Sequence, residues 1–419
     1  MTTTGVRRFA GGVRLPAVAV LLAVLATAVG GTVRSGRVAR IPLYSEAVAL
    51  DGAGGRTLVP PSIVPPWVGG TRAVAAAPAR AQAAWLAAGE VPGAGGPYAD
   101  LGRTALLDLH TLTVGGAPVA GWSPQWRYVW PRDASFVAAA YARTGHLADA
   151  REVLAYLQRV QAADGSFQAR YLLDGSGPPD DRGLQEDGPG WALWALAEVT
   201  RLDPTAATDL APLRDRSAAR LAERAGLPPA SSDYWERPER TLTLGIAAPT
   251  LAGLDAAAYL YDVARDPGRA ATMRAAADRT ARAVEAAFGP RYPRIPGGRA
   301  VDAAVTFLLP PFQRRTVPGA AEAARAAVPR LLRPAGGLAP GEGWRRDGVS
   351  WTPETALFAL VNASAGDTAG ARRWLDWLAT HRTSQGAIPE KVLADGSPAA
   401  VAPLAWSAAL VVLTLTEPN

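Results

Sequence analysis

Glu236 lies in Ser231-Ser232-Asp233-Tyr234-Trp235-Glu236-Arg237, and Glu390 in Gly386-Ala387-Ile388-Pro389-Glu390-Lys391. Rings that exclude water, as Tyr234 and Trp235 would, favour the protonated form of a neighbouring carboxyl, whereas an adjacent lysine favours the charged form. One protonated and one ionised carboxyl facing each other is what glycoside hydrolysis requires, with a gap of about 6.5–9.5 Å when a water must enter between them. The same glutamates also read as surface charges, Glu236 paired with Arg237 and Glu390 neutralised by Lys391.

Three further segments carry aromatic and charged groups. Trp122-Ser-Pro-Gln-Trp126-Arg-Tyr128-Val-Trp130-Pro-Arg132-Asp133 puts four rings beside an arginine fork. Flat apolar faces next to directed hydrogen-bonding groups suit a pyranose, although Asp133 alone also reads as a helix N-cap. Gln185-Glu186-Asp187-Gly188 precedes an apolar run and reads either as a capping turn or as polar groups at the mouth of the same site. Gly343-Trp344-Arg345-Arg346-Asp347-Gly348-Val-Ser-Trp351 repeats the tryptophan–arginine pairing around a turn signal. No metal or cofactor is called for. His110, His146 and His381 lack ligand spacing, cysteine is absent, and neither a nucleophile elbow nor a phosphate-cradling glycine loop occurs.

The elements that must position these groups are helices. Apolar residues recur at three and four over 78–90, 98–112, 133–144, 147–163, 188–201, 209–225, 242–264, 269–288, 300–309, 318–332, 353–365, 368–382 and 402–416. Short turns join most of them in pairs. Segments 188–201, 242–264 and 402–416 are apolar nearly all round, as inner helices of a ring must be. The expected fold is therefore all-α, with inner and outer helices paired in a closed (α/α)6 barrel and the thirteenth helix peripheral. No fixed repeat supports an open solenoid. The long connections before 133, 188, 241, 353 and 402 hold the polar clusters, which places the site on one rim.

The formal charge of +6 sits at the front of the chain. Residues 1–40 contain six arginines and no acid, which leaves 37 basic and 37 acidic residues behind them. That balance excludes a phosphate-tracking nucleic-acid surface. Leu15–Val33 is uncharged behind Arg7, Arg8 and Arg14, with Ala26-Thr27-Ala28 resembling a cleavage site. Residues 1–33 are expected to be a signal peptide or membrane anchor, 34–77 an extended N-terminal arm, and 78–419 the helical domain. The expected location is extracellular or on the outer face of the cytoplasmic membrane.

Taken together, Tyr128-Val-Trp130-Pro-Arg132-Asp133-Ala134, Gln185-Glu-Asp187-Gly188, Asp233-Tyr-Trp235-Glu236, Trp344-Arg345 with Trp351, and Pro389-Glu390 followed by Pro403-Leu-Ala-Trp406-Ser407 resemble glycoside hydrolase family 15. That is the glucoamylase and glucodextranase family, and the likeness spans nearly all of residues 78–416. The resemblance implies an (α/α)6 barrel and an inverting hydrolase that takes glucose from non-reducing ends of α-glucans or oligosaccharides. By it, Glu236 falls on the general acid and Glu390 on the general base. Trp130, Arg132, Asp133, Asp187, Trp235, Arg345, Trp351 and Trp406 fall on substrate-binding positions. Two departures stand out: Arg237 follows the acid where the family often has glutamate, and residues 34–77 are too short for the N-terminal β-sandwich of many bacterial members. The rival reading is an inactive carbohydrate-binding or structural protein on the same barrel.

Overall fold

A computed structural model describes residues 40–51, 54–61 and 76–418. The expected leader, 1–33, lies outside the described residues. Ala39–Asn419 forms one compact unit, and its helices follow the periodicity closely. Apart from one turn at Ala206–Asp209, they are α1 (Ala76–Ala87), α2 (Ala99–Leu112), α3 (Pro131–Arg143), α4 (Leu147–Val160), α5 (Gly188–Leu202), α6 (Ala211–Glu223), α7 (Leu244–Val263), α8 (Pro267–Phe288), α9 (Ala320–Leu331), α10 (Thr352–Ser364), α11 (Thr368–Thr380) and α12 (Ala405–Leu415).

Two burial patterns separate inner from outer helices. Pro131–Ala142 of α3, Gly188–Thr200 of α5 and Ala405–Thr414 of α12 are buried on every side. The outer α4 and α11 bury one stripe each, Ala150/Val153/Leu154/Leu157 and Ala371/Trp374/Leu375/Leu378, with the spacing of a single helix face. Around the inside, α3 packs on α5, α5 on α7, α10 on α12, and α12 on α3, while α4, α6, α8 and α11 back the inner helices that precede them. The result is a mostly α-helical, toroid-like arrangement consistent with a six-hairpin (α/α) barrel. Close approach inside the ring needs glycine: a Cβ on Gly190 of α5 would stand 2.2 Å from the Pro249 carbonyl oxygen of α7.

The segment expected as a helix at 300–309 is instead a 3₁₀ helix, Ala303–Leu308, between α7 and α10 in the ring. Asp302 starts it by accepting from Ala304 N at 2.9 Å, and Pro310-Pro311 stop it because neither can donate a backbone hydrogen bond. Within 34–77, expected to be an extended arm, β1 (Ala47–Leu50) and β2 (Arg56–Val59) pair as an antiparallel hairpin against α2. Ser45 Oγ donates to the Ala402 carbonyl at 2.6 Å, so the described part of this stretch packs on the helical unit. Two-residue ladders complete the rim: β3 (Thr113–Val114) with β4 (Ala117–Pro118), and β5 (Ser350–Trp351), β6 (Lys391–Val392) and β7 (Pro398–Ala399) in one antiparallel sheet. Among the described residues no helix is long and apolar enough to cross a membrane.

Candidate active site

Loops before α3, α5, α7, α10 and α12 converge on a cavity of about 250 Å³. Trp130, Arg132, Asp133, Trp235, Glu236, Trp351, Glu390 and Trp406 all line it. Eight of the ten residues singled out from sequence therefore share one space.

The Glu236 loop is set by a buried ionic lock. Arg294 pairs with Asp233 at 3.0 Å and Asp302 at 2.9 Å, and its guanidinium lies 3.5 Å from the Trp235 ring centroid. Asp233 also accepts from Trp235 N at 2.9 Å and Thr243 Oγ1 at 2.7 Å, while Tyr234 donates to the Pro340 carbonyl at 2.9 Å and bonds Asp302. The chain leaves this lock with Glu236 at φ 54°, a left-handed conformation uncommon for a residue with a Cβ. Its Oε1 accepts from Gln185 Nε2 at 3.0 Å and Arg132 Nη1 at 3.4 Å, and Oε2 accepts from Arg182 Nη1 at 3.2 Å.

Glu390 is held by the β5–β6–β7 sheet. Trp351 pairs with Lys391, Thr352 N donates to the Glu390 carbonyl at 3.1 Å, and Glu390 N donates to Val401 O at 2.8 Å. The side chain accepts from Trp126 Nε1 at 3.4 Å and pairs with Lys391 Nζ at 3.1 Å. Lys391 in turn sits 4.3 Å from the Trp351 ring centroid.

Arg132 and Asp133, in the first turn of α3, bond at 3.0 Å, and the guanidinium lies 4.6 Å from the Trp406 ring centroid. Burial pushes the Asp133 carboxyl up to about 6 despite that arginine. Asp187, buried behind the wall at the start of α5, is pushed up to about 7 by burial, which outweighs the attraction of Arg132. Asp187 does not line the cavity, and neither does Arg345, which is exposed with its Cζ 6.0 Å from the Trp344 ring centroid. Trp344 closes the Gly341–Trp344 turn and lines the cavity, while Arg345 and Arg346 beyond it are exposed.

Besides Arg132, the cations in the lining are Arg170 and Arg182, which sequence reasoning passed over because their loop carries no aromatic run. Trp126, Tyr234 and Trp344 also line the cavity; they were visible in the motifs but were not named as substrate-binding residues. Glu354 was missed because an acid behind Pro353 in a first helical turn looks like a partner for the helix dipole. The indole N–H groups of Trp130, Trp235, Trp344, Trp351 and Trp406 find no acceptor within the protein. Buried donors of this kind at a cavity wall suit a ligand rich in oxygen acceptors.

No model of a known protein family matches the chain. The isomaltose glucohydrolase of Kribbella flavida is 28% identical over 366 residues, which are 75% of this chain and 90% of that protein. The solved structure of a wild-type glycosidase is 24% identical, with a TM-score of 0.66, covering 76% of this chain and 96% of the other. A bacterial glucoamylase crystallised with acarbose superposes with a TM-score of 0.67 at 18% identity, over 80% of this chain and 57% of that one. It is a glycoside hydrolase. The fold is of the kind seen in these glycosidase and glucoamylase structures, and the enzyme acts on O-glycosidic bonds.

Proposed function

We propose that this hydrolase removes single glucose units from the non-reducing ends of α-glucans or α-glucooligosaccharides with inversion, releasing β-glucose. The observation that carries the reading is the meeting of Glu236 and Glu390, from separate loops, in one tryptophan-lined cavity beside Arg132 and Asp133. Glu236 protonates the leaving oxygen, and Glu390 takes a proton from the water that attacks the opposite face of the ring. For Glu236 to carry its proton, one of its oxygens must give up an N–H donor. Arg182, the most exposed of the three donors and already bonded to Asp180, is the partner that yields. Arg132 and Asp133 hold hydroxyls of the terminal sugar, with Trp130 and Trp406 against its ring. Asp187, one layer back, interacts electrostatically with Arg132 and keeps its guanidinium in place.

The ring order around the inner helices supports a closed (α/α)6 barrel spanning 78–419. Likeness to an isomaltose glucohydrolase favours short α-glucosides over starch. The uncharged span behind the basic start supports export or anchoring on the outer face of the membrane; fractionation that recovers the full-length chain from the cytoplasm would overturn this. Incubation with maltooligosaccharides, isomaltooligosaccharides, dextran and trehalose, read for released glucose, tests the activity. Sugar binding without hydrolysis of any of them would point to a binding protein instead.

A further inference from the structure

The cavity contains a carboxyl that this chemistry leaves unused. Glu354 stands in the first turn of α10 and lines the cavity, yet is only 2% exposed. Among the described residues its Oε2 has no hydrogen-bond partner and the carboxyl forms no ion pair; the backbone group it meets at the start of α10 is its own N–H. The charged and titratable groups that face it are Arg132 from α3, Tyr234 from the loop before α7, Asp302 before the 3₁₀ helix, and Glu390 before β6. Arg132 is engaged by Asp133 and Glu236, Tyr234 and Asp302 bond each other, and Glu390 adds negative potential. A carboxylate buried there would have no counter-ion, whereas a carboxylic acid carries no charge to desolvate.

The rest of the lining shows what such an acid supplies. The indoles and Arg132 can only donate, and the ionised carboxylates can only accept. Tyr234 is occupied by Asp302 and Pro340, and Gln125 sits exposed at the mouth. A sugar hydroxyl both donates and accepts, and Glu354 is the buried group of the lining that can answer both needs.

We propose that Glu354 binds one ring hydroxyl of the sugar as an un-ionised acid, donating one hydrogen bond and accepting another, and so selects hexopyranosides in which that hydroxyl is free. This inference rests on the α-glucosidase reading of the site. Burial, the first cause, and the nearby Glu390 push Glu354 up to about 8, which agrees with it.

The test compares kcat/KM for 4-nitrophenyl α-D-glucopyranoside and its 2-, 3-, 4- and 6-deoxy analogues in the wild type, Glu354→Gln and Glu354→Leu, with thermal melting to confirm folding. Glu354→Leu should lose on the order of thirtyfold on the parent glucoside and less than about threefold on one deoxy analogue, the one lacking the bound hydroxyl. Glu354→Gln, which can still donate and accept, should stay within about fivefold of the wild type. If Glu354→Leu does not fold, pH serves in its place. Near pH 9 the wild type should lose its discrimination against that analogue while Glu354→Gln keeps it. Equal losses on all five substrates, or no loss on any, would overturn the proposal and leave the hydrolase reading intact. Failure of the wild type to cleave any α-glucoside would instead overturn the hydrolase reading, and this inference with it.

Discussion

Glu354 should also leave a mark on stability that no kinetic argument is needed to read. Its carboxyl is moved from an ordinary 4.5 to about 8, with burial the first cause. Each pH unit of displacement corresponds to about 1.36 kcal/mol, so keeping the group ionised in the folded state costs on the order of 5 kcal/mol, and roughly 2–5 after local relaxation. Below pH 4.5 the folded and unfolded chains both hold the proton, and the group favours neither. As pH rises toward 8 the unfolded chain releases the proton while the folded one retains it, so stability is lost across that window. Glu354→Gln removes this titration and little else, since Asp133 and Asp187 titrate alike in both proteins. The difference in Tm between variant and wild type, measured calorimetrically from about pH 4.5 to 8.5, should therefore grow in the variant's favour by roughly 2–6 °C. A difference that stays flat with pH would mean that Glu354 is ionised and paired, and would refute the argument from burial.

Arg294→Met leaves Asp233 and Asp302 buried without their cation; it should destabilise the fold by about 3 kcal/mol in urea titration and cut kcat at least a hundredfold by releasing the Glu236 loop. Gly190→Ala should cost about 2–4 kcal/mol in the same assay, because the new methyl meets the Pro249 carbonyl between two inner helices. Trp126→Phe removes the indole donor to Glu390 and should lower kcat about tenfold with little change in KM in steady-state kinetics.

The ring was legible because its helices carry one strong period. The outer α4 and α11 show a single apolar stripe and the inner α5 and α12 are apolar throughout, and each of those patterns has a direct physical reading. Where local chemistry overrode the period, the reading failed, as at Ala303–Leu308, whose length is set by Asp302 and two prolines. The β5–β6–β7 sheet that holds Glu390 has strands of two residues, too short to show alternation. At the site, aromatic neighbours marked Glu236, Trp130 and Trp351, but the same cue drew attention to Arg345, which faces solvent. Arg170, Arg182 and Glu354 enter the cavity through loop and helix geometry that no local pattern encodes.

The central claim is that Glu236 gives a proton to the leaving group while Glu390 activates water. Hydrolysis by Glu236→Gln of isomaltose and of α-glucosyl fluoride, followed by proton NMR, tests it most directly, because fluoride departs with little need of an acid. The account predicts that isomaltose turnover falls by at least about a thousandfold while fluoride hydrolysis stays within about tenfold of the wild type and still yields β-glucose first. Equal loss on both substrates, or α-glucose as the first product, would contradict it.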